Sequence, residues 1–294
     1  MSAAADSPQP STGDDVPPRN AASVILVRDG APGLEVLLLR RHPNARVLGG
    51  LHVFPGGKVD AEDAAPEWAA LLDQAPSGLP ARLGEPALTP AAAQALFVAA
   101  ARELWEEAGI ALADAPLPRA AGEPAGAEPA WRARLAKAGA RLTTAALRPW
   151  SRWITPRQPP VGTPRFDTRF FLACLPRGAQ VRYDAFEMSD SAWMTPREAL
   201  SRYWAREIEL LPPQLMGLAH LARHADVASA WAELADRIPP CILPEPFLDG
   251  EHRALCYPGD ERHPVRARAL PGPTRLRLVD GRFEPFDGFE GWFR

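Results

Sequence analysis

Three cysteines in 294 residues, Cys174, Cys241 and Cys256, are too few and too scattered for a disulfide framework or a zinc site. That scarcity suits a reducing compartment. The chain also lacks any run of about 18 apolar residues, and no basic segment followed by an apolar one opens it, so neither a membrane span nor a secretory signal is expected. A formal net charge of -3 leaves no bulk field of either sign, which argues against nucleic acid and against a membrane surface as partners. The six histidines show no metal spacing beyond His220 and His224, an isolated pair four residues apart that reads as a helix surface without a third ligand. Neither a repeat of fixed period nor sustained heptads occurs. Residues 1–19 are rich in Ala, Ser, Pro and Asp with almost nothing to bury, and are expected to form a disordered tail. The C-terminal Gly291-Trp292-Phe293-Arg294 does not resemble a peroxisomal tripeptide, so cytoplasm is the expected location.

What is present is a hydrophobic content of 46%, enough for a substantial core, and one stretch with unusual chemistry between Phe54 and Ile110. It begins with the turn Phe54-Pro55-Gly56-Gly57-Lys58-Val59-Asp60 and ends with Ala101-Arg102-Glu103-Leu104-Trp105-Glu106-Glu107-Ala108-Gly109-Ile110. At about 100° per residue, Glu103, Glu106 and Glu107 share one side of a helix, and Phe97, Ala101, Leu104 and Ala108 form an apolar stripe on the other. Thr89-Pro90 supplies an N-cap with proline in the first turn, and Gly109 stands where a glycine stops a helix. Carboxylates clustered this way repel one another unless water screens them or cations neutralise them. They also lie near the C-terminal end of the helix, where the dipole disfavours negative charge. Arg102 is an internal partner, and the glycines upstream let backbone approach a ligand closely.

These segments resemble the Nudix box: a glycine, five residues, an acid, a spacer, then Arg-Glu-apolar-x-Glu-Glu-x-Gly-apolar. Gly57 fits the opening glycine, and Arg102, Glu103, Leu104, Glu106, Glu107, Gly109 and Ile110 fit the second half. Two departures stand out. The acid is Asp63 where the family has glutamate, and 38 residues separate it from Arg102 where the family has a short spacer. The interruption is similar to the branch that includes the peroxisomal acyl-coenzyme A diphosphatases. Upstream, Leu37-Leu38-Leu39-Arg40-Arg41-His42, Arg46, Gly50 and Phe54-Pro55-Gly56-Gly57 resemble the coenzyme A signature of several Nudix diphosphatases, with Leu39 and His42 as departures.

The resemblance implies an α/β Nudix fold, an α/β/α sandwich on a mixed sheet, with helical insertions and a C-terminal β appendage. It implies a magnesium or manganese site in which Glu103 and Glu107 are the main ligands, the Gly56 carbonyl adds one, Glu106 assists, and Arg102 orients a glutamate with Asp63 as partner. Glu187, with Asp190 second, is the expected acid from outside the box. Arg41, Arg46 and Arg165 are expected to meet substrate phosphate, since guanidinium binds phosphate oxygens as a bidentate fork. The implied activity is cleavage of coenzyme A or acyl-coenzyme A to adenosine 3′,5′-bisphosphate and phosphopantetheine or its acyl form. Another nucleoside diphosphate (ADP-ribose, NADH, a dinucleoside polyphosphate) and a binding module without turnover are the rivals. The implied partner is a small nucleotide of the coenzyme A type; oligomeric state is left open, a homodimer included.

Elsewhere, residues 21–28 and 34–40 around Asp29-Gly30-Ala31-Pro32-Gly33 read as a hairpin, and residues 149–154 and 165–175 as strands. Residues 67–72 suit a short helix, 75–90 an exposed excursion, and 64–89 the insertion. Residues 129–138 read as helix, as do the segments after Thr195-Pro196 and Leu211-Pro212-Pro213, and 227–237. Short strands are expected at 254–257, 266–270 and 274–279, the last running into Asp280-Gly281 as a hairpin turn. Residues 20–294 are taken as one domain, with the β appendage from about 242 to 294.

Overall fold

The computed structural model describes residues 17–45, 49–117, 130–157, 164–183, 185–235 and 237–294. The expected tail therefore lies outside the described residues except for its last three, of which Arg19 already opens a strand. In chain order the elements are β1 (Arg19–Gly30), β2 (Gly33–Arg41), β3 (His52–Val53), β4 (Gly56–Lys58), α1 (Leu79–Arg82), α2 (Pro90–Ala108) and α3 (Ala130–Ala138). There follow β5 (Arg148–Ile154), β6 (Phe166–Cys174), β7 (Met188–Met194), α4 (Pro196–Trp204), α5 (Pro212–Leu221) and α6 (Val227–Glu233). The last are β8 (Cys241–Ile242), β9 (Glu245–Asp249), β10 (His252–Cys256), β11 (Arg275–Val279) and β12 (Arg282–Pro285).

The hairpin of β1 and β2 seeds a mixed eight-stranded sheet in the order β3-β2-β1-β6-β5-β8, with β4 on β1 and β7 on β2. β6 runs parallel to β1 along the whole length of β6, from Arg19↔Phe166 to Val27↔Cys174, and side chains alternate between two cores. Ala22, Val24 and Leu26 join α2 on one face. Ile25 and Val27 join α4, α5 and the C-terminal sheet on the other. Helices on both faces of a mixed sheet make the α/β/α sandwich. The second sheet, in the order β12-β11-β10-β9, is the C-terminal appendage. Its hairpin turns at Asp280 and Gly281, both with positive φ.

Helix α2 begins and ends as its caps dictate. The Thr89 hydroxyl accepts the Ala92 N–H at 3.2 Å, Pro90 occupies the first turn, and Gly109 is left-handed at φ 70°.

Several local expectations need correction. Gly56 and Gly57 form a short strand against Ala22 and Ser23, where a turn was expected. The short helix expected at 67–72 is a 3₁₀ segment, Pro66–Leu71, and Leu72 is already extended. The stretch 75–90 is not an exposed excursion: Leu79 and Leu83 are buried with Trp68 against α2, and Arg82 donates to the carbonyls of Thr144 and Leu147. Its Pro and Gly residues turn the chain so that the leucines point inward. Residues 266–270 form bends, and strands occur instead at β8 and β9.

Candidate active site

One end of the sheet gathers the box residues. β4 is held to β1 by its strand pairing and by the Val24 N–H and Ser23 hydroxyl, which both donate to the Pro55 carbonyl, at 2.8 and 3.0 Å. β2 ends beside it at Arg41. β7 begins opposite Arg41, and the His42 N–H donates to the Glu187 carbonyl at 2.8 Å, which pins that residue at the sheet end. α2 lies across β1 and β4 with its last two turns over the glycines. The result is a cavity of about 280 Å³ lined by Arg41, Gly56, Gly57, Lys58, Asp60, Arg102, Glu103, Glu106, Glu107 and Glu187.

The 38-residue spacer does not keep the halves of the box apart, since closing a longer loop costs entropy that grows only slowly. Gly57 is in contact with Glu103, and a Cβ added to it would collide with that carboxylate. The Gly56 N–H donates to Glu107 Oε2 at 2.8 Å. Arg102 is buried and fully engaged. Its Nε and Nη2 bind both oxygens of buried Asp63 at 3.0 Å, Nη2 also donates to the Lys58 carbonyl, and Nη1 reaches Glu103 at 2.8 Å and Glu106 at 3.1 Å. One guanidinium thus ties the insertion, β4 and the acidic helix face together.

The charges are out of balance. Glu107 is only 3% exposed, so the acidic face of α2 is partly interior and not simply solvated. Burial pushes the Glu107 carboxyl well above the usual carboxylate range, and Glu103 beside it adds to the shift. Burial also raises Glu103, against the pull of Arg102. For Arg102 burial opposes the charge, but Asp63, Glu103 and Glu106 outweigh it and hold the guanidinium above its ordinary value. Oxygen ligands without His or Cys, buried and mutually repelling, suit a hard divalent cation. Glu103, Glu107 and Glu106 are the residues that would hold it. Their oxygens are spread wider than those of a closed metal cluster, because Arg102 draws Glu103 and Glu106 while Gly56 draws Glu107.

Of the remaining candidates, Arg41 lines the cavity with Nη1 3.6 Å from Glu107, and its side chain is partly exposed there. Glu187 lines the cavity; Asp190 does not, and its carboxylate accepts the Ser191 N–H. Arg165 is not brought to the cavity and donates to the Thr155 carbonyl at 3.3 Å, because β6 starts on the far side of β1. Arg46 lies outside the described residues. At Gly56 the N–H is turned toward Glu107. Lys58 and Asp60 also line the cavity, one and three residues after Gly57, and were not singled out from the sequence as site residues.

His220 and His224 do find a third partner, contrary to expectation. Glu233 of α6 meets His220 Nε2 at 3.0 Å and His224 Nε2 at 2.9 Å, and His220 is buried, not on a helix surface. Arg237 donates to the same carboxylate at 2.9 Å, and His220 Nδ1 lacks the orienting partner that metal-bound histidines have. The group serves as a brace between α5 and α6.

An acidic helix C-terminus meeting a glycine strand at the end of a mixed sheet, with helices on both faces, is the architecture of a Nudix hydrolase. The fold is similar to that of the crystal structure of a Nudix hydrolase from Alicyclobacillus acidocaldarius, at 27% identity and a TM-score of 0.57 over 74% of this chain and 97% of that one. A family model described as the NUDT19 Nudix domain matches residues 18–221, and the chain belongs to that family. The acyl-coenzyme A diphosphatase NUDT19 of Gallus gallus is 32% identical over 302 residues, covering 84% of this chain and 80% of the relative. That of Homo sapiens is 31% identical over 278 residues, covering 79% and 72%. Among the described residues, no helix is long and apolar enough to cross a membrane.

Proposed function

We propose that this Nudix hydrolase cleaves the diphosphate linkage of coenzyme A or acyl-coenzyme A, releasing adenosine 3′,5′-bisphosphate and phosphopantetheine or its acyl form. The observation that carries the reading is the single cavity in which Glu103, Glu106, Glu107 and Glu187 face Arg41 beside the glycines of β4. The names of the avian and human relatives support the choice of substrate.

A diphosphate resists attack because its own oxygens repel a nucleophile, so the site must offset charge and place a water in line. Water oxygen bonds to one phosphorus, the bridging oxygen leaves with the other, and a carboxylate takes the proton. A divalent cation of the magnesium or manganese type, held by Glu103 and Glu107 with Glu106 assisting, supplies charge neutralisation when bound. The chain's own groups do the rest. Arg41 binds a phosphate oxygen through its guanidinium at the cavity wall. Glu187, on the opposite wall from α2, accepts the proton. Arg102 keeps the glutamates aligned and stays out of the chemistry itself. The Gly56 N–H holds Glu107 in one rotamer.

Residues 20–294 work as one domain in the cytoplasm, as a monomer or homodimer. The test is a panel of coenzyme A, ADP-ribose, NADH and diadenosine polyphosphates, with and without divalent ions, read by product chromatography. Cleavage of coenzyme A to the two named products in preference to the others is expected. A preference for another member of the panel replaces the substrate, and no turnover of any replaces the enzyme with a binding module.

A further inference from the structure

The glutamate cavity has room for a diphosphate but not for the nucleoside attached to it. Its volume of about 280 Å³ is below the roughly 300–1,000 Å³ of pockets that enclose drug-sized ligands. Among the described residues its lining consists of charged side chains and glycines. A purine is held largely through its flat face, so it needs an apolar plane, and that plane must lie outside the cavity.

The chain between β6 and β7 supplies one at the cavity's edge. It is anchored there at two points. The Arg182 N–H donates to the carbonyl of Ala108, one residue past Glu107, at 2.9 Å, and the Glu187 carbonyl accepts the His42 N–H at 2.8 Å. Val181 packs against the core under α2, and Met188 is buried in it. Between these anchors stands Phe186, at 86% the most exposed large apolar side chain among the described residues. Folding buries little of such a ring, whereas a ligand that covers it removes apolar surface from water. Consecutive Cα atoms are about 3.8 Å apart, so the ring projects from backbone immediately beside Glu187 of the cavity wall. Ile238, Leu248 and Val265, also strongly exposed, are aliphatic and belong to the segments after α6.

We infer that Phe186 is the platform on which the adenine of the substrate stacks while its diphosphate occupies the glutamate cavity. The inference rests on the coenzyme A reading given above and assigns the adenosine half to the β6–β7 side of the mouth. A single ribose joins the base to the 5′-phosphate, so the base emerges next to the wall that holds the phosphates. The pantetheine arm is a chain of amides and aliphatic carbons without a flat ring to lay on the phenyl face. Backbone fixed on both sides of the ring presents it with little order left to impose on binding, which favours affinity.

The experiment uses the full chain with magnesium, as wild type, Phe186→Ala and Phe186→Trp. It measures KM for coenzyme A and the inhibition of its cleavage by each product, adenosine 3′,5′-bisphosphate and phosphopantetheine. Phe186→Ala is expected to raise KM and the inhibition constant of the bisphosphate by about tenfold each, and to leave that of phosphopantetheine within about twofold. Phe186→Trp keeps the plane and is expected to restore both values. The thermal unfolding midpoint should not move in either variant, since the ring is exposed. Wild-type KM and inhibition constants in Phe186→Ala overturn the platform and leave the coenzyme A reading standing. So does a loss confined to phosphopantetheine or shared equally by both products, and so does a bisphosphate that fails to inhibit the wild type. A wild type that does not cleave coenzyme A removes the substrate reading and the platform with it.

Discussion

Glu107 and Arg102 are both buried, yet they respond to substitution in opposite ways. Glu107 sits beside Glu103 with burial favouring its neutral form, so its charge is a liability unless something positive joins it. Glu107→Gln keeps the volume and leaves an oxygen for the Gly56 N–H. We expect thermal unfolding in the absence of divalent ions at or above the wild-type temperature, with the rate of diphosphate cleavage lowered by about 100-fold or more. A wild-type rate in this variant removes Glu107 from the chemistry. Arg102 satisfies Asp63 with two hydrogen bonds in a setting where neither is solvated. Arg102→Ala leaves an unpaired buried carboxylate and is expected to cost about 3–5 kcal/mol in urea unfolding, and Arg102→Lys does not restore it because an ammonium lacks the planar fork. Unfolding midpoints equal to wild type in both variants contradict that account.

At the scale of elements, the brace between α5 and α6 gives a pH dependence. Burial lowers the His220 pKa to about 4 from the ordinary imidazole value of 6.5, despite Glu233 beside it. The unfolded chain therefore binds a proton in that window and the folded one does not. Stability falls as pH drops from about 6.5 toward 4, by up to about 3 kcal/mol from this group. His220→Asn should flatten the midpoint-versus-pH curve over that window; an unchanged slope assigns the loss to other groups. Helix α2 was legible in the sequence because its determinants are local: Thr89 and Pro90 start it, Gly109 stops it, and the glutamates repeat at helical spacing. The hairpin of β1 and β2 was legible for the same reason, from the turn residues Asp29-Gly30-Ala31-Pro32-Gly33 between two β-branched or leucine-rich runs. The packing of the insertion was not, because its cause lies far along the chain: Arg82 bonds the carbonyls near residue 145, and Glu85 binds Arg169 at 2.7 Å across 84 positions. Nor was Glu233, which no i,i+4 spacing connects to His220.

At the scale of the whole molecule, the glutamate cavity and the C-terminal sheet share one framework. Tyr257, Leu276 and Trp292 pack in the same core as Leu215, Met216 and Leu218 of α5, although the family model ends at residue 221. A chain ending at residue 240 exposes that core, and we expect it to aggregate or lose cooperative unfolding; a soluble 1–240 chain with wild-type activity makes the appendage a separate unit. The assembly of the site was legible only as a resemblance of motifs, since spacing could place Glu103 and Glu107 on one face but could not show that residues 56 and 57 would meet them. The insertion in between is long, and its docking through Asp63 depends on the tertiary contact with Arg102. The most direct measurement of the central claim is hydrolysis of coenzyme A by the purified full chain, followed by chromatography of the products, with magnesium and again after chelation. The account predicts adenosine 3′,5′-bisphosphate and phosphopantetheine in the first case, neither in the second, and recovery when magnesium is restored. Cleavage that continues undiminished after chelation, or that proceeds equally well in Glu107→Gln, would contradict it.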